Sequence, residues 1–323
     1  MQNFEYIAPT ETLSAVQALS PDAGVTAVLA GGTDLLSLMK ERIETPSRVV
    51  SLRNVRALRG ISKKGGGLRI GAMATVQELL DSNAAAGYKS LVQAASGITA
   101  PQVRAMGTVA GDLLQRPRCW YYRNGYGLLA THEGESLVPT GENRYHAILG
   151  NKGPAYFVNA SSLAPALISL GAQATVAGPD GERTVDLADL FQIPSSESER
   201  ENTLSPNEIV TEVTVPGGTS GWKTATYEVR QRQLLDWPFA TASVALRVRG
   251  GKIADARVVL GHVAPIPWRS SEAEAALNGQ APGEAAGEAA GKAAVAAATP
   301  LSGNKAKVQL ASVAVKRAVA MAG

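Results

Sequence analysis

The first fifty or so residues alternate between short apolar runs and segments with the apolar spacing of a helix. Runs typical of buried strands occur at Phe4–Tyr6, Thr26–Ala30 and Arg48–Leu52. Between them, Thr12–Leu19 and Leu35–Lys40 carry apolar residues at helical spacing, and threonines are available to cap the first helix. This order predicts a βαβαβ unit at the start of the chain.

A second unit mixes strands and helices up to about residue 216. Strands are predicted at Leu68–Ala72 and Gln173–Ala177, and a helix begins after Thr75, where Glu78 completes a capping box. Further predicted elements are helices at Leu91–Ser96 and Ser162–Leu170, a glycine-containing turn at Gly107–Leu114 and a hairpin turn at Gly178–Gly181. Arg116–Pro154 is polar and irregular, and its length indicates a functional loop.

The last third of the chain predicts a sheet followed by helices. Apolar alternation marks strands at Ala225–Arg230, Ala242–Arg249 and Ala256–Gly261, with Gly250 and Gly251 joining the second to the third. We therefore expect a three-stranded antiparallel sheet with C-terminal helices. The alanine-rich stretch Glu284–Ala298 resembles a linker in composition, and its spacing predicts a lightly packed surface helix that ends before Pro300.

Composition narrows the possible functions. A length of 323 residues fits two domains, and no run of eighteen apolar residues predicts a membrane span. A single cysteine, Cys119, excludes a disulfide framework, a thiolate zinc site and a self-contained iron–sulfur cluster. The net charge of +3 gives no case for nucleic-acid binding. The chemistry is therefore expected to need an organic cofactor or a partner chain.

Two glycine turns are the candidate ligand-binding motifs, since neither the GxGxxG fingerprint nor a P-loop occurs in the sequence. The first, Leu29–Leu35, breaks a predicted buried strand at paired glycines where a helix begins. The second, Met106–Leu113, places two glycines around Thr108 with Asp112 behind them. Exposed N–H groups at such turns favour a pyrophosphate, whereas Asp112 suits ribose hydroxyls or the orientation of backbone donors. Each turn alone is more typical of an ordinary tight turn, whereas two such turns in one α/β domain favour a binding site.

Four segments together carry a resemblance to a known family. They are AGGTDLLSLMK (Ala30–Lys40), RIGAMATVQEL (Arg69–Leu79), QVRAMGTVAGDLLQRPRC (Gln102–Cys119) and GHVAPIPWR (Gly261–Arg269). In order and spacing the chain resembles the FAD-binding medium subunits of the molybdenum hydroxylases, the family of xanthine dehydrogenase, carbon monoxide dehydrogenase and aldehyde oxidoreductase. LLQRPRC and Arg144–Gly150 most resemble the flavin subunit of bacterial periplasmic aldehyde oxidoreductases.

The resemblance implies an α+β fold in two domains. Residues 1–216 would form a two-lobed FAD-binding domain of the vanillyl-alcohol-oxidase-like type, with subdomains of about 1–56 and 57–216. Residues 217–323 would form a smaller α+β domain of the carbon monoxide dehydrogenase flavoprotein type.

It also implies the residues that hold FAD. The first turn would wrap the pyrophosphate, the second would add phosphate and ribose contacts, and the others would lie near the flavin ring. The residues so assigned are Leu29, Ala30, Gly31, Gly32, Thr33, Asp34, Leu35, Thr108, Ala110, Gly111, Asp112, Arg118, Gly150, Ser161, Ser162, Asp236 and Trp237.

Three positions depart from the family pattern. Ser162 stands where the family usually has an acidic residue, and Glu228 replaces a common lysine. In the aldehyde oxidoreductase branch the loop after LLQRPRC carries further cysteines for a 4Fe–4S cluster, but here Cys119 has no companion. We therefore predict no 4Fe–4S cluster and no metal in this chain, and an inert buried thiol at Cys119.

Other candidates have an ordinary structural explanation as well as a functional one. The aromatic residues after Cys119 (Trp120, Tyr121 and Tyr122) either stack near the flavin or form a packing cluster. The basic group of Arg116, Arg118 and Arg123 either faces a phosphate or an acidic partner, or consists of ordinary surface arginines. His132, with Glu133 and Glu135, is expected to be solvated, and His262 is expected to be a satisfied structural histidine.

As a function, the resemblance implies an electron-transfer oxidoreductase subunit in which no side chain acts as acid, base or nucleophile. Its expected partners are a large molybdopterin subunit that oxidises the substrate, a small subunit with two 2Fe–2S clusters, and a small-molecule electron acceptor. The alternatives are a free-standing FAD-dependent oxidase or dehydrogenase and a scaffold subunit with a degenerate flavin site. The opening residues show no secretory signal, so we expect a cytoplasmic location, or a periplasmic one through export with a partner.

Overall fold

The computed structural model describes residues 1–219, 221–231 and 237–323. Its first part is a three-stranded parallel sheet that confirms the predicted βαβαβ order. The elements are β1 (Glu5–Ile7), α1 (Thr12–Gln17), β2 (Thr26–Leu29), α2 (Leu35–Lys40) and β3 (Arg48–Ser51). The central strand is β3, whose Val49 and Val50 side chains are buried, Val50 in a cluster with Ala15 and Val16 of α1.

The second part is built on a five-stranded antiparallel sheet of order β4-β5-β10-β8-β9. In chain order its elements are β4 (Ile61–Lys64), β5 (Gly67–Gly71), α3 (Val76–Asp81), α4 (Lys89–Gly97), α5 (Pro101–Met106), α6 (Val109–Leu113), α7 (Trp120–Arg123), β6 (Thr131–His132), β7 (Glu135–Ser136), α8 (Ala164–Ser169), β8 (Gln173–Gly178), β9 (Gly181–Asp186) and β10 (Ile209–Val215). Its core packs Ile70 and Val213 of the sheet together with Leu79, Leu91 and Leu167 of the helices.

Two N-caps in this part explain where its helices begin. Thr75 and Glu78 form the predicted capping box, since the Glu78 N–H donates to Thr75 Oγ1 and the Thr75 N–H donates to Glu78 Oε2. The stretch predicted as a turn at Gly107–Leu114 instead folds into α6, because Thr108 caps it by accepting from the Gly111 N–H at 3.1 Å.

The third part is an antiparallel sheet of order β11-β12-β13-β14 covered by helices. Its elements are β11 (Lys223–Val229), β12 (Ala240–Arg249), β13 (Lys252–Gly261), β14 (Trp268–Arg269), α9 (Ser271–Leu277), α10 (Glu284–Ala294) and α11 (Lys305–Ala322). Gly250 and Gly251 join β12 to β13 as predicted, both with positive φ, as a tight two-residue hairpin needs. The three predicted strands are present, and the two-residue β14, too short to show a pattern, adds a fourth.

The alanine-rich helix is more tightly packed than its composition suggests, and the prediction of a lightly packed surface helix is wrong. One face of α10 lies directly on α11, where a Cβ at Gly287 would lie 2.6 Å from the Lys316 carbonyl oxygen. A Cβ at Gly291 would similarly overlap the Ser312 carbonyl oxygen. The glycines at this spacing therefore allow two helix backbones to approach closely, and the surrounding alanines fill the contact.

No helix in the described ranges is both long enough and apolar enough to cross a membrane.

The close packing of α10 on α11 predicts the effect of a side chain at Gly291. Gly291→Val is expected to lower the free energy of unfolding by about 1–3 kcal/mol, because the new side chain meets the α11 backbone rather than a movable side chain. Ala289→Val, on the exposed face of the same helix, is the matched control and should cost less than about 0.7 kcal/mol. Denaturant unfolding of both variants measures the difference, and equal effects would contradict the packing argument.

Candidate functional site

The two glycine turns that the sequence singled out lie against each other. A Cβ at Gly31, between β2 and α2, would overlap the carbonyl oxygen of Met106 and would lie 3.3 Å from the Gly107 Cα. A Cβ at Gly107 would in turn lie 2.7 Å from the Val103 carbonyl oxygen and 3.6 Å from Thr33 Oγ1. The glycines therefore allow the first and second parts of the molecule to meet backbone to backbone.

The first turn presents a run of backbone donors. Within the described part of the chain, the N–H groups of residues 31–35 have no hydrogen-bond acceptor, and the first donor of the following helix is the Leu36 N–H, which donates to the Gly32 carbonyl. Gly32 has a φ of 76°, a conformation that turns successive N–H groups to one side of the chain. Such a group of donors binds an anion, above all a phosphate.

A cavity of about 530 Å³ opens along these donors, between the parallel sheet and the five-stranded sheet. The residues from the two predicted turns that line it are Ala30, Gly31, Gly32, Thr33, Asp34, Leu35, Thr108, Ala110 and Gly111. The far wall comes from a segment that sequence reasoning missed, residues 198–206, whose polar composition gave no signal. The volume lies in the range of small-molecule and cofactor sites.

Asp34 holds the start of the Arg116–Pro154 segment against this cavity. We call the part that carries Arg116, Arg118 and Arg123 the basic loop. Its Oδ2 accepts from the Arg116 N–H at 2.8 Å, and its Oδ1 lies 2.8 Å from Arg123 Nη2 and 3.1 Å from Arg118 Nη1. Arg116 is further paired with Glu201 at 2.7 Å and Glu44 at 3.3 Å. The arginine group is therefore a partly buried ion-pair network. Because arginines match its charge, the Asp34 carboxylate does not oppose an anion at the neighbouring N–H groups.

Asp112 accepts hydrogen bonds from the turn that leads into α8. Its Oδ2 accepts from Ser161 Oγ at 2.5 Å and from the Leu163 N–H at 2.9 Å, while its Oδ1 accepts from the Ser162 N–H at 3.4 Å. Burial raises the pKa of Asp112 above the usual range of a carboxyl, and these hydrogen bonds oppose the rise. Asp112 thus orients backbone donors at the start of α8, and Ser161 and Ser162 are its partners there.

A second cavity, of about 490 Å³, lies where the basic loop meets the third part of the molecule. Its walls are largely aromatic and are formed by Arg118, Cys119, Trp120, Tyr145, His146, Phe157, Val158, Ala160, Gln231, Trp237, Pro238, Phe239 and His262. The Arg118 guanidinium lies 4.9 Å from the Trp237 ring and also contacts Asp34, so this one side chain lies between the two cavities. Predicted residue Asp236 lies outside the described residues.

Comparisons with known proteins decide the family. The family model for the FAD-binding domain in molybdopterin dehydrogenase matches residues 2–218, and that for the carbon monoxide dehydrogenase flavoprotein C-terminal domain matches residues 225–322. The chain belongs to the FAD-binding medium subunits of the molybdenum hydroxylases. This confirms the resemblance seen in the sequence, the α+β fold and FAD as the cofactor of the family.

Individual relatives span most of the chain. The aldehyde oxidoreductase FAD-binding subunit PaoB of Escherichia coli is 33% identical over 77% of this chain and 78% of its own length. The carbon monoxide dehydrogenase medium chain of Afipia carboxidovorans is 29% identical over 98% of this chain and 96% of its own. A solved structure of carbon monoxide dehydrogenase from Hydrogenophaga pseudoflava superposes with a TM-score of 0.75, at 29% identity, over 98% of this chain and 96% of that chain.

The FAD-domain residues fit the cofactor at two places. The N–H run at residues 31–35 suits a pyrophosphate, and the aromatic second cavity suits a flat ring. Besides Asp112, Ser161 and Ser162, two more assigned residues line neither cavity. Leu29 accepts the Leu52 N–H at the end of β2, and Gly150, with a φ of 63°, packs on Trp268 and Ile193.

The environment of Cys119 is aromatic and partly buried. Its Sγ lies 3.1 Å from His146 Nε2, and burial raises the pKa of the thiol. Trp120 and Tyr121 pack edge-on against each other and contact His146. Trp120 thus belongs both to a packing cluster and to the wall of the second cavity. In the described residues no three His, Cys, Asp or Glu side chains come together as a metal site.

Residues of the third part hold the wall of the second cavity in place, and no sequence signal predicted this. Lys307, on α11, is 2% exposed and donates to the Tyr145 and His146 carbonyl oxygens at 2.8 and 3.0 Å. Asn304 donates to the His146 carbonyl oxygen as well, at 3.2 Å. From the sequence, a lysine in an alanine- and valine-rich helix is expected at the surface. In the structure the backbone of Tyr145 and His146 lies over Lys307 and accepts its hydrogen bonds.

The contact between the two glycine turns predicts the effect of a methyl group at Gly31. Gly31→Ala should separate the turns and displace the N–H run, so that the purified protein loses most of its FAD. Gly87→Ala is the matched control, because a Cβ at Gly87 meets nothing within 4 Å. Flavin absorbance per chain measures the loss, with circular dichroism to establish that the variant is folded. A folded Gly31→Ala chain with full FAD content would contradict this role.

Burial of Lys307 predicts a pH dependence of stability. Burial lowers the pKa of Lys307 to about 7 from an ordinary value of 10.5. Between these values the unfolded chain binds the proton and the folded chain does not, so stability rises with pH by up to about 1.4 kcal/mol per unit. Lys307→Met should lack this rise between about pH 7 and pH 10, whereas Lys305→Met, at an exposed position, should retain it. Thermal unfolding midpoints across this range measure the difference, and parallel curves for Lys307→Met and the parent would contradict it.

Proposed function

We propose that this chain is the FAD-binding electron-transfer subunit of a heteromeric molybdenum hydroxylase. In this proposal a large molybdopterin subunit oxidises the substrate, and a small subunit with 2Fe–2S clusters delivers the electrons. The chain passes them on to an external acceptor. The relatives support this assembly, since they include the FAD-binding subunit of an aldehyde oxidoreductase and the medium chain of a carbon monoxide dehydrogenase.

The observation that carries the proposal is the run of N–H groups at residues 31–35 that find no acceptor among the described residues and lie beside a cavity of cofactor size. Arg118 adds a positive charge to this group of donors, because its guanidinium contacts Asp34 beside the first cavity and Trp237 in the wall of the aromatic second cavity. The chain would thus hold an elongated anionic cofactor with its phosphates at the donors and its ring among the aromatic side chains.

The roles of individual residues follow from these contacts. FAD, when bound, supplies a store of two electrons that can be filled and emptied stepwise. Asp34 holds Arg118 and Arg123 beside the donors, and Asp112 fixes the turn at Ser161 that continues into the wall of the second cavity at Ala160. In this proposal the work of the chain is to bind and orient the cofactor.

The proposal is tested by assembling the complex. The chain is co-expressed with the molybdopterin and 2Fe–2S subunits that we expect in the neighbouring reading frames, and the purified complex is analysed for FAD, molybdenum and iron. We expect one FAD per copy of this chain, iron only in the amount that two 2Fe–2S clusters require, and flavin bleaching on substrate addition only when all three subunits are present.

Other outcomes favour the alternatives. Substrate oxidation by the isolated chain would indicate a free-standing flavoenzyme, and a chain that assembles without FAD would indicate a scaffold. Iron in the isolated chain would contradict the prediction that Cys119 holds no cluster.

For location, a cytoplasmic complex remains the expectation, with export on a partner's signal as the alternative, and fractionation of the cell distinguishes them.

A further inference from the structure

His262 is unusual in three respects. It directly follows β13, it is 2% exposed, and its φ of 62° is a conformation that a non-glycine residue adopts only at a cost. Its ring Nδ1 lies 3.0 Å from Thr241 Oγ1, on the adjacent strand β12. Its Nε2 is buried without a hydrogen-bond partner in the described part of the chain. The expected satisfied structural histidine is therefore only half satisfied.

The Thr241 hydroxyl determines which ring nitrogen carries the proton. Thr241 is fully buried, and His262 Nδ1 is the partner that the structure gives its hydroxyl. If the hydroxyl donates to Nδ1, it is satisfied and the proton resides on Nε2. In the reverse arrangement the buried Thr241 O–H group would be the donor without an acceptor, at a cost of about 1–3 kcal/mol, and a ligand in the second cavity could not satisfy it, because His262 lines that cavity and Thr241 does not. Nε2 is therefore an N–H donor.

The imidazole is a neutral donor. Burial, together with the smaller effect of the positive charges of Lys307 and Arg230, lowers the pKa of His262 to about 3, although the Ala160 backbone opposes the shift. His262 therefore acts through its hydrogen bond and carries no charge at neutral pH.

The unpaired donor belongs to a residue of the second cavity wall. His262 lines this cavity together with Arg118, Trp237 and Phe239, and its ring lies 6.4 Å from that of Trp237. A buried donor left unpaired costs free energy, so a strained histidine at this place is explained if a ligand supplies the missing acceptor. On the proposed function, the ligand in this cavity is the isoalloxazine ring, whose carbonyl oxygens and ring nitrogens are its acceptors.

We propose that His262 Nε2–H donates a hydrogen bond to an acceptor atom of the isoalloxazine ring, with Thr241 as the positioning residue that fixes the tautomer. The acceptor atoms of this ring gain negative charge on reduction, so a fixed donor binds the reduced ring more strongly than the oxidised ring. His262 thereby raises the reduction potential of the bound FAD.

The test is a redox titration of FAD in the assembled complex. His262→Asn keeps a residue that tolerates positive φ but is too short to place a donor where Nε2 lies. We expect the affinity for reduced FAD relative to oxidised FAD to fall about tenfold, which corresponds to about 30 mV for a two-electron couple. Thr241→Val, which keeps His262 and removes only the hydroxyl, should shift the potential in the same direction by less. His132→Asn, at an exposed hairpin, should leave it unchanged.

The outcomes separate this inference from the proposed function. A parent complex without FAD would contradict the proposed function itself. A complex with full FAD content in which His262→Asn and Thr241→Val both retain the parental potential would overturn the role of His262 and leave the proposed function standing. If His262→Asn fails to fold, the potential of Thr241→Val decides the question alone.

Discussion

The contact between Gly31 and the Met106 carbonyl is the constraint on which the rest of the site depends. No side chain fits between these two backbones, and through them the parallel sheet meets the five-stranded sheet. With the first turn fixed there, its N–H groups line the space between the sheets, and Asp34 is held where the arginines of the basic loop can reach it. This backbone contact therefore fixes the position of the N–H donors at residues 31–35 and of the Asp34 carboxylate.

The charges around the site form a chain of paired groups. Asp34 balances Arg118 and Arg123, and Arg116 is balanced by Glu201 and Glu44. Because these pairs are largely screened from water, the removal of one partner would leave a buried charge without compensation, which is strongly destabilising. Arg118 extends this network to Trp237 and so joins the phosphate side of the site to the aromatic side.

In the second cavity, unlike the first, the polar groups are buried histidines in a largely aromatic wall and are not paired charges. His146 and His262 each have one ring nitrogen unpaired in the described residues, and burial lowers the pKa of both. Lys307 and Asn304 hold the backbone of this wall from the third part of the molecule, which makes the C-terminal helices part of the site. Polar groups of this kind are costly unless a ligand or partner satisfies them.

Local patterns in the sequence determined the βαβαβ start, the capping box at Thr75 and the Gly250–Gly251 hairpin, because each depends on neighbours within a few residues. They also marked both glycine turns. The tertiary structure alone decided that these turns touch, that Asp112 serves the start of α8, and that Gly291 and Lys307 are buried. The groups in these contacts are separated by 21 residues (Gly291 and Ser312) to 162 residues (Lys307 and Tyr145) along the chain. The composition of a segment does not show which distant segment the fold packs against it.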